Sequence, residues 1–345
     1  MSESSAIGPA MRTNLASSAR HSDPLADVFG AIRMAGAAFF RVSARAPWVA
    51  EQPAADAMPP RILPPGRHLI AYHIVTEGSC YASLVGGNAV RLEAGQVIVF
   101  TRGDRHMMSS QPGLCIESFS NSEFNESGPP LWPYVARFSA SGPVTARLVC
   151  GFLACDSWPF NPLLDNFPRI LIGDCTKRAG LPSLRELVAL AIAEASCKRA
   201  GGQMVLGRLT ELMLVEVVRQ YVERLPAGHA TWLAGLKDVF VGRALALMHS
   251  NPGRRWSLAG LAREIGLSRS LFAARFNALV GMPPMEYLTR WRMQTATGLL
   301  RDSVNIADVA NEVGYSSEAS FSRAFKKIVG VPPSRWRRRV DLLAA

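Results

Sequence analysis

Two segments near the C-terminus repeat one pattern, and that repeat constrains the fold more than any other feature of the chain. Leu258-Ala259-Gly260-Leu261-Ala262-Arg263-Glu264-Ile265-Gly266 aligns without a gap on Ile306-Ala307-Asp308-Val309-Ala310-Asn311-Glu312-Val313-Gly314. Apolar residues take the first, fourth, fifth and eighth places of each, one face of a short helix stopped by glycine. A second helical pattern follows each segment, closing on Gly281-Met282-Pro283-Pro284 and Gly330-Val331-Pro332-Pro333. Helix, glycine turn, helix is the layout of a helix-turn-helix unit, whose second helix enters a DNA major groove.

Charge is segregated in the same way. From Lys237 to Ala345 there are 17 Lys and Arg against 8 Asp and Glu, which leaves +9 of the net +11 in the last third. A basic third on a near-neutral remainder reads as a nucleic-acid module joined to a partner with another task. With 48% hydrophobic and 19% charged residues, the 345-residue chain predicts two or three globular domains. No apolar run approaches the length of about 18 residues that a membrane span needs, and the Ser/Ala-rich start has no secretory apolar core. The expected location is the cytoplasm. The six cysteines form no CxxC pair and no zinc-finger spacing, so free thiols are expected.

Texture divides the chain into a flexible leader (1–22), a strand-rich domain (23–174), a helical coupling or dimerisation segment with a linker (175–236), and a helical domain (238–338). The overall class is α+β. The first domain carries short β-branched and aromatic runs between glycines and prolines, such as His68 to Thr76, Gln96 to Thr101 and Leu114 to Phe119. That pattern predicts an antiparallel barrel or sandwich. Met204 to Leu225 is long and proline-free, with an apolar stripe that must pack within the chain or against a second copy, making a homodimer. Pro226 to Gly235 reads as a short linker.

Ser268 and Ser317 stand where hydroxyls cap helices. Phe272, Phe276 and Leu279, like Phe321, Phe325 and Ile328, fall at core spacing. The opposite face would meet the groove. In the second repeat it carries Ala319, Ser320, Arg323, Lys326 and Lys327, with Arg323 suited to guanine and the lysines to phosphates. In the first it carries Ser270, Ala273, Ala274 and Asn277, with Arg269 and Arg275 flanking. Between the repeats, Pro284 to Arg301 predicts a helix of about 27 Å, a strut suited to grooves about 34 Å apart. Its apolar side serves both halves and leaves Arg290, Arg292 and Arg301 outside, with Arg292 counted among the DNA contacts. The run Arg335 to Arg339 adds phosphate-neutralising charge.

Residues 238–338 resemble the DNA-binding domain of the AraC/XylS family of bacterial transcription regulators. The likeness rests on Leu258-x2-Leu261-Ala262, Gly266-x-Ser268, Phe272-x3-Phe276-x4-Gly281-x-Pro283-Pro284 and Tyr287-Leu288-x3-Arg292-Met293. It continues through Ile306-x-Asp308-Val309-Ala310-x3-Gly314-Tyr315-x5-Phe321-x-Arg323-x-Phe325-Lys326 and Gly330-x-Pro332-Pro333. Where family members place a polar or basic reader in the first recognition helix, this chain has Ala274. The resemblance implies promoter DNA as partner, and RNA polymerase as a further partner where the output is activation.

The N-terminal region resembles the cupin-like sensor domain of one branch of these regulators, through Asp23-Pro24-Leu25-x-Asp27-Val28, Ala46-Pro47-Trp48, Leu92-x-Ala94-Gly95 and Arg102-Gly103-Asp104-x-His106. It implies a β-barrel able to hold a small-molecule effector near Tyr72, His73, Glu77 and His106, with no required cofactor. His73, Glu77 and His106 also match three cupin metal-ligand positions, while Ala71 holds the fourth. Either these three hold a divalent ion, or the histidines are hydrogen-bonded barrel residues and Glu77 belongs to a turn. The incomplete set argues against an enzyme. Cys150 and Cys155 are candidate redox sensors if their thiols are accessible and acidic.

Overall fold

In the computed structural model the described residues are 23–32, 34–57, 67–115, 135–138, 142–156, 159–176, 183–197, 199–226, 229–302 and 305–344. The expected leader, residues 1–22, and the end of the expected 114–119 strand lie outside them. Helix α1 (Pro24–Ala31) starts on Asp23, whose carboxylate accepts from the amides of Leu25 and Ala26. The strands follow: β1 (Met34–Arg45), β2 (Trp48–Gln52), β3 (Arg67–Leu84), β4 (Val90–Glu93), β5 (Gln96–Phe100), β6 (His106–Ser109), β7 (Val135–Phe138), β8 (Val144–Asp156) and β9 (Ile170–Asp174). Helix α2 (Pro162–Asn166) interrupts them after β8.

All the strand pairings are antiparallel, and β3 belongs to both walls of the barrel. Its first half pairs β8 and β5; its second half pairs β4 and β6. The changeover falls at Gly78, where φ is +74° and a Cβ would sit 2.0 Å from the Thr145 carbonyl oxygen. A side chain there would block the bend. Between the walls lies a core of Trp48, Val75, Leu92, Ile98, Phe100, Met108 and Leu148. The outer face of the β1-β8-β3-β5-β9 wall is apolar as well, through Ile70, Ile74, Val97, Val99 and Leu153. Central β3 therefore reads as a continuous apolar run instead of an alternating one.

That outer face is covered by α4 (Gly202–Arg224), which packs beside α3 (Leu184–Cys197). Leu206, Thr210, Met213, Leu214 and Val217 of α4 are buried against the sheet. The Gln220 amide continues the edge of β9, accepting from the Asp174 amide (2.9 Å) and donating to its carbonyl (3.1 Å). One face of the stretch from Met204 to Leu225 thus packs within the chain, while Met204, Val205 and Leu212 stay exposed.

The expected linker, Pro226 to Gly235, is not loop throughout: its end enters α5 (Trp232–Lys237), which docks with Trp232 fully buried. Its amide donates to Asn166 Oδ1 (3.0 Å) and its indole N–H to Tyr287 Oη (2.9 Å). Beyond it come α6 (Val239–Ser250), α7 (Leu258–Glu264), α8 (Arg269–Val280), α9 (Pro284–Arg301), α10 (Ile306–Glu312), α11 (Glu318–Val329) and α12 (Pro333–Ala344). None of the described helices is long and apolar enough to cross a membrane. Two cores divide this region. Phe272, Phe276, Tyr287, Leu288 and Trp291 belong to the cluster that also includes the outer barrel face and α4. Met293, Ala296, Leu300, Phe321, Phe325 and Trp336 form a separate one.

Candidate nucleic-acid interface

The two recognition helices are built from matching local parts. Ser268 Oγ accepts from the Leu271 amide (3.3 Å) to start α8, and Ser317 Oγ accepts from the Ser320 amide (3.2 Å) to start α11. Both end on left-handed glycines, Gly281 and Gly330. In α8, Phe272, Phe276 and Val280 turn inward, leaving Arg269, Ser270, Ala274 and Asn277 exposed and Ala273 half-buried. In α11, Phe321, Phe325 and Val329 turn inward, leaving Ser317, Ala319, Arg323, Lys326 and Lys327 exposed and Ser320 half-buried. The hydroxyls of Ser317 and Ser320 are engaged in the cap, since Ser320 Oγ donates to the Ser317 carbonyl (2.8 Å). Arg335 and Arg338 of α12 are exposed close to the second unit in sequence, and the side chain of Arg339 lies outside the described residues.

Strut α9 divides its apolar face as the repeat demands. Tyr287, Leu288 and Trp291 enter the first core, and Met293, Ala296 and Leu300 enter the second. Two arginines expected near the DNA also have partners within the chain. Arg292 Nε donates to the Pro252 carbonyl (2.7 Å) and its other nitrogen to the Arg254 carbonyl (2.8 Å). Its guanidinium packs on Tyr315, and desolvation lowers its pKa. Gly314, with φ +82°, leaves room for it: a Cβ there would lie 2.9 Å from the guanidinium and 2.5 Å from the Gly253 carbonyl oxygen. Arg292 therefore clamps strut to turn. Arg275 donates to both carboxylate oxygens of Asp238, the N-cap of α6 (2.6 Å to Oδ2 and 3.1 Å to Oδ1).

In the barrel, side-chain parity separates the proposed effector residues. Tyr72 faces outward to α4, its hydroxyl 3.3 Å from Thr210 Oγ1, in a small apolar cavity lined by Ile70, Val99, Met213 and Leu214. His73 faces the lumen, where its Nε2 lies 2.9 Å from His106 Nε2. His106 Nδ1 is 2.9 Å from the Asp104 carbonyl, so it carries the proton, and its Nε2 accepts from His73 Nε2–H. Burial pushes His106 down to about 4, and burial and the neighbouring imidazole hold His73 well below its usual value. Glu77 does not join them. It is 62% exposed and paired with Arg147. Among the described residues no group of three or more His, Cys, Asp or Glu is placed to hold a metal. The expected His73–Glu77–His106 ligand set is thus not assembled, because Glu77 lies past the β3 register shift. Sequence reading missed Gln52, buried opposite His106 on β2, whose amide atoms have no partner among the described residues.

The redox reading also meets a geometric obstacle. Cys150 points into the barrel core, and Cys155 lies in the cluster on the other side of the sheet. Five residues along one strand reverse the face, so the two thiols cannot pair. Burial raises both, Cys155 to about 12, the opposite of an acidic sensor thiol.

Sensor and DNA-binding regions are joined by polar contacts that the sequence did not disclose. Asp156, ending β8, binds Arg67 (2.6 Å) and Arg301 at the end of α9 (2.7 Å). Gln294 accepts from the Phe160 amide (3.2 Å) and donates to the Ala31 carbonyl (3.2 Å). Trp232 donates to Tyr287 Oη, which donates to His249 Nε2 (2.8 Å), leaving the His249 Nδ1 proton facing Asp27 Oδ2 at 3.6 Å.

Comparison with known proteins agrees with this layout. Residues 23–223, more than half of the chain, match the domain family described as Cupin, and residues 261–339 match the one described as Helix-turn-helix domain. A putative AraC-like transcription regulator of Streptomyces lividans is 45% identical over 136 residues, covering 39% of this chain and 45% of that protein. Another, of Streptomyces antibioticus, is 40% identical over 181 residues, 51% of this chain and 58% of that protein. The chain spans about half the length of these two relatives. The HTH-type transcriptional regulator AlkR of Acinetobacter baylyi is 27% identical over 328 residues, 92% of this chain and 99% of that one. A cupin barrel that packs on tandem helix-turn-helix units places the chain in the family of AraC-like transcription regulators with an N-terminal cupin domain.

Proposed function

We propose that this chain is a sequence-specific DNA-binding transcription regulator, reading adjacent major grooves of promoter DNA with α8 and α11 while its cupin domain senses a signal. The observation that carries this reading is the pair of capped helices with exposed outer faces, held by one strut whose halves are buried in different cores. Docking of the sensor leaves both faces uncovered, which favours control through the position of the units over masking of them. Inside the barrel, the Gln52 amide, unpartnered among the described residues and next to His106, is the group that a small effector with a hydrogen-bonding group would engage. A buried amide without a partner costs about 1–3 kcal/mol, which such a guest would recover. Exposed Leu190 on α3 and Val205 and Leu212 on α4 support a homodimer seam. RNA polymerase is a further partner if the output is activation, and the site of action is the cytoplasm.

Footprinting and mobility shifts on DNA upstream of the protein's own gene test the reading. Protection of two blocks about one helical turn apart is expected. Affinity should fall with salt at a log–log slope of about 0.9 per phosphate contacted. Binding that tolerates high salt and ignores Arg323→Ala would overturn it.

A further inference from the structure

We infer that the two recognition helices read different chemistry, α8 an A·T box through thymine methyls and adenine, α11 a box containing guanine. This deepens the DNA-binding reading above and rests on it. The repeats can be compared position by position because their buried phenylalanines coincide. Opposite those phenylalanines, Ser270, Leu271, Ala274, Asn277 and Ala278 of α8 correspond to Ala319, Ser320, Arg323, Lys326 and Lys327 of α11. The second set carries three cations. The first carries none.

Tertiary structure widens the contrast. Of the arginines beside the first unit, Arg275 and Arg292 are held by Asp238 and by backbone carbonyls, which leaves Arg269 exposed at the start of α8, flanking the face and not on it. Leu271 is 52% exposed, and Ala274 and Ala278 are exposed beside it on the same helical face. A methyl-surfaced ridge on a groove-facing helix has one apolar counterpart in the major groove, the thymine C5-methyl. Asn277, exposed on the same face, has the amide geometry that pairs with adenine N6 and N7. Both features select the same base pair. On α11, Arg323 has the fork that meets guanine O6 and N7, with Lys326 and Lys327 beside it for phosphates.

The test uses the full chain and a library of duplexes with a random core. Selected sites should share two dissimilar boxes, one of A·T pairs and one with an invariant guanine. Replacing thymine by deoxyuracil removes only the methyl. In the A·T box it should weaken binding about fourfold per contacted methyl, from about 0.8 kcal/mol for each buried carbon. In the guanine box it should change nothing, whereas 7-deazaguanine there should weaken binding about tenfold or more. Leu271→Ala should lose most of the deoxyuracil effect, and Arg323→Ala the 7-deazaguanine effect. The base replacements are read on the unaltered protein, so they stand even if a variant folds poorly. Enriched sites that are indifferent to deoxyuracil in both boxes would sink the methyl reading while leaving DNA recognition intact. A library that yields no enriched sequence would sink both.

Discussion

Single side chains divide into those that face solvent to make contacts and those spent on holding the structure, and arginine shows the division best. Arg323 is exposed, so its replacement by alanine should weaken specific binding by about 1–3 kcal/mol without changing thermal stability. Gel shift and calorimetry measure the two separately. Arg292→Ala should do the reverse, leaving the Pro252 and Arg254 carbonyls without their donor. The histidines make a pH prediction. An unfolded imidazole takes a proton near 6.5, but folded His106 resists until about 4, and His73 and His249 are depressed in the same direction. The unfolded chain then binds more protons, so stability rises with pH between about 4 and 6.5 and is flat above. The slope approaches about 1.4 kcal/mol per pH unit for each histidine. Melting temperatures from pH 4 to 8 should follow that curve, and His73→Met should shallow it. Much at this scale was open to reading from the chain: parity along β3 already separates Tyr72 from His73, and parity along β8 separates Cys150 from Cys155. The fates of Arg275 and Arg292 were not open, because Asp238 and the Pro252 carbonyl are brought to them only by tertiary packing.

Among the elements, the helices of the repeats were the most legible, since caps, period and glycine stops agree at each of them. The six-residue α5 was hidden, being too short for a period and flanked by residues typical of loops. The Thr231 cap starts it, and the burial of Trp232 holds it in place. The cupin strands were legible as texture only, because a run buried on both faces loses the alternation that would assign its sides. The separate cores yield a test. Phe325→Ala should cost about 3–5 kcal/mol and loosen α10 to α12 first, as that cluster does not include the barrel or α8. Phe276→Ala should carry a similar cost but weaken protection in α5, α6 and α9 as well. Hydrogen exchange resolved by segment distinguishes the two patterns.

Over the whole molecule, one apolar core runs from the outer barrel wall through α4 to the first helix-turn-helix unit, and the second unit stands apart from it. Polar bonds decide how the far end of the strut is held. Asp156→Ala would leave Arg67 and Arg301 facing each other without their carboxylate, both largely shielded from water. A loss of about 3 kcal/mol is expected in denaturant unfolding, with Asp156→Asn intermediate. Because Asp156 closes β8 and Arg301 closes α9, the barrel holds the strut at its tail, just ahead of the second unit. The molecule is built like a caliper. One jaw is cast into the frame, the other sits at the end of the beam, and the Asp156 carboxylate is the screw nearest the gap between them.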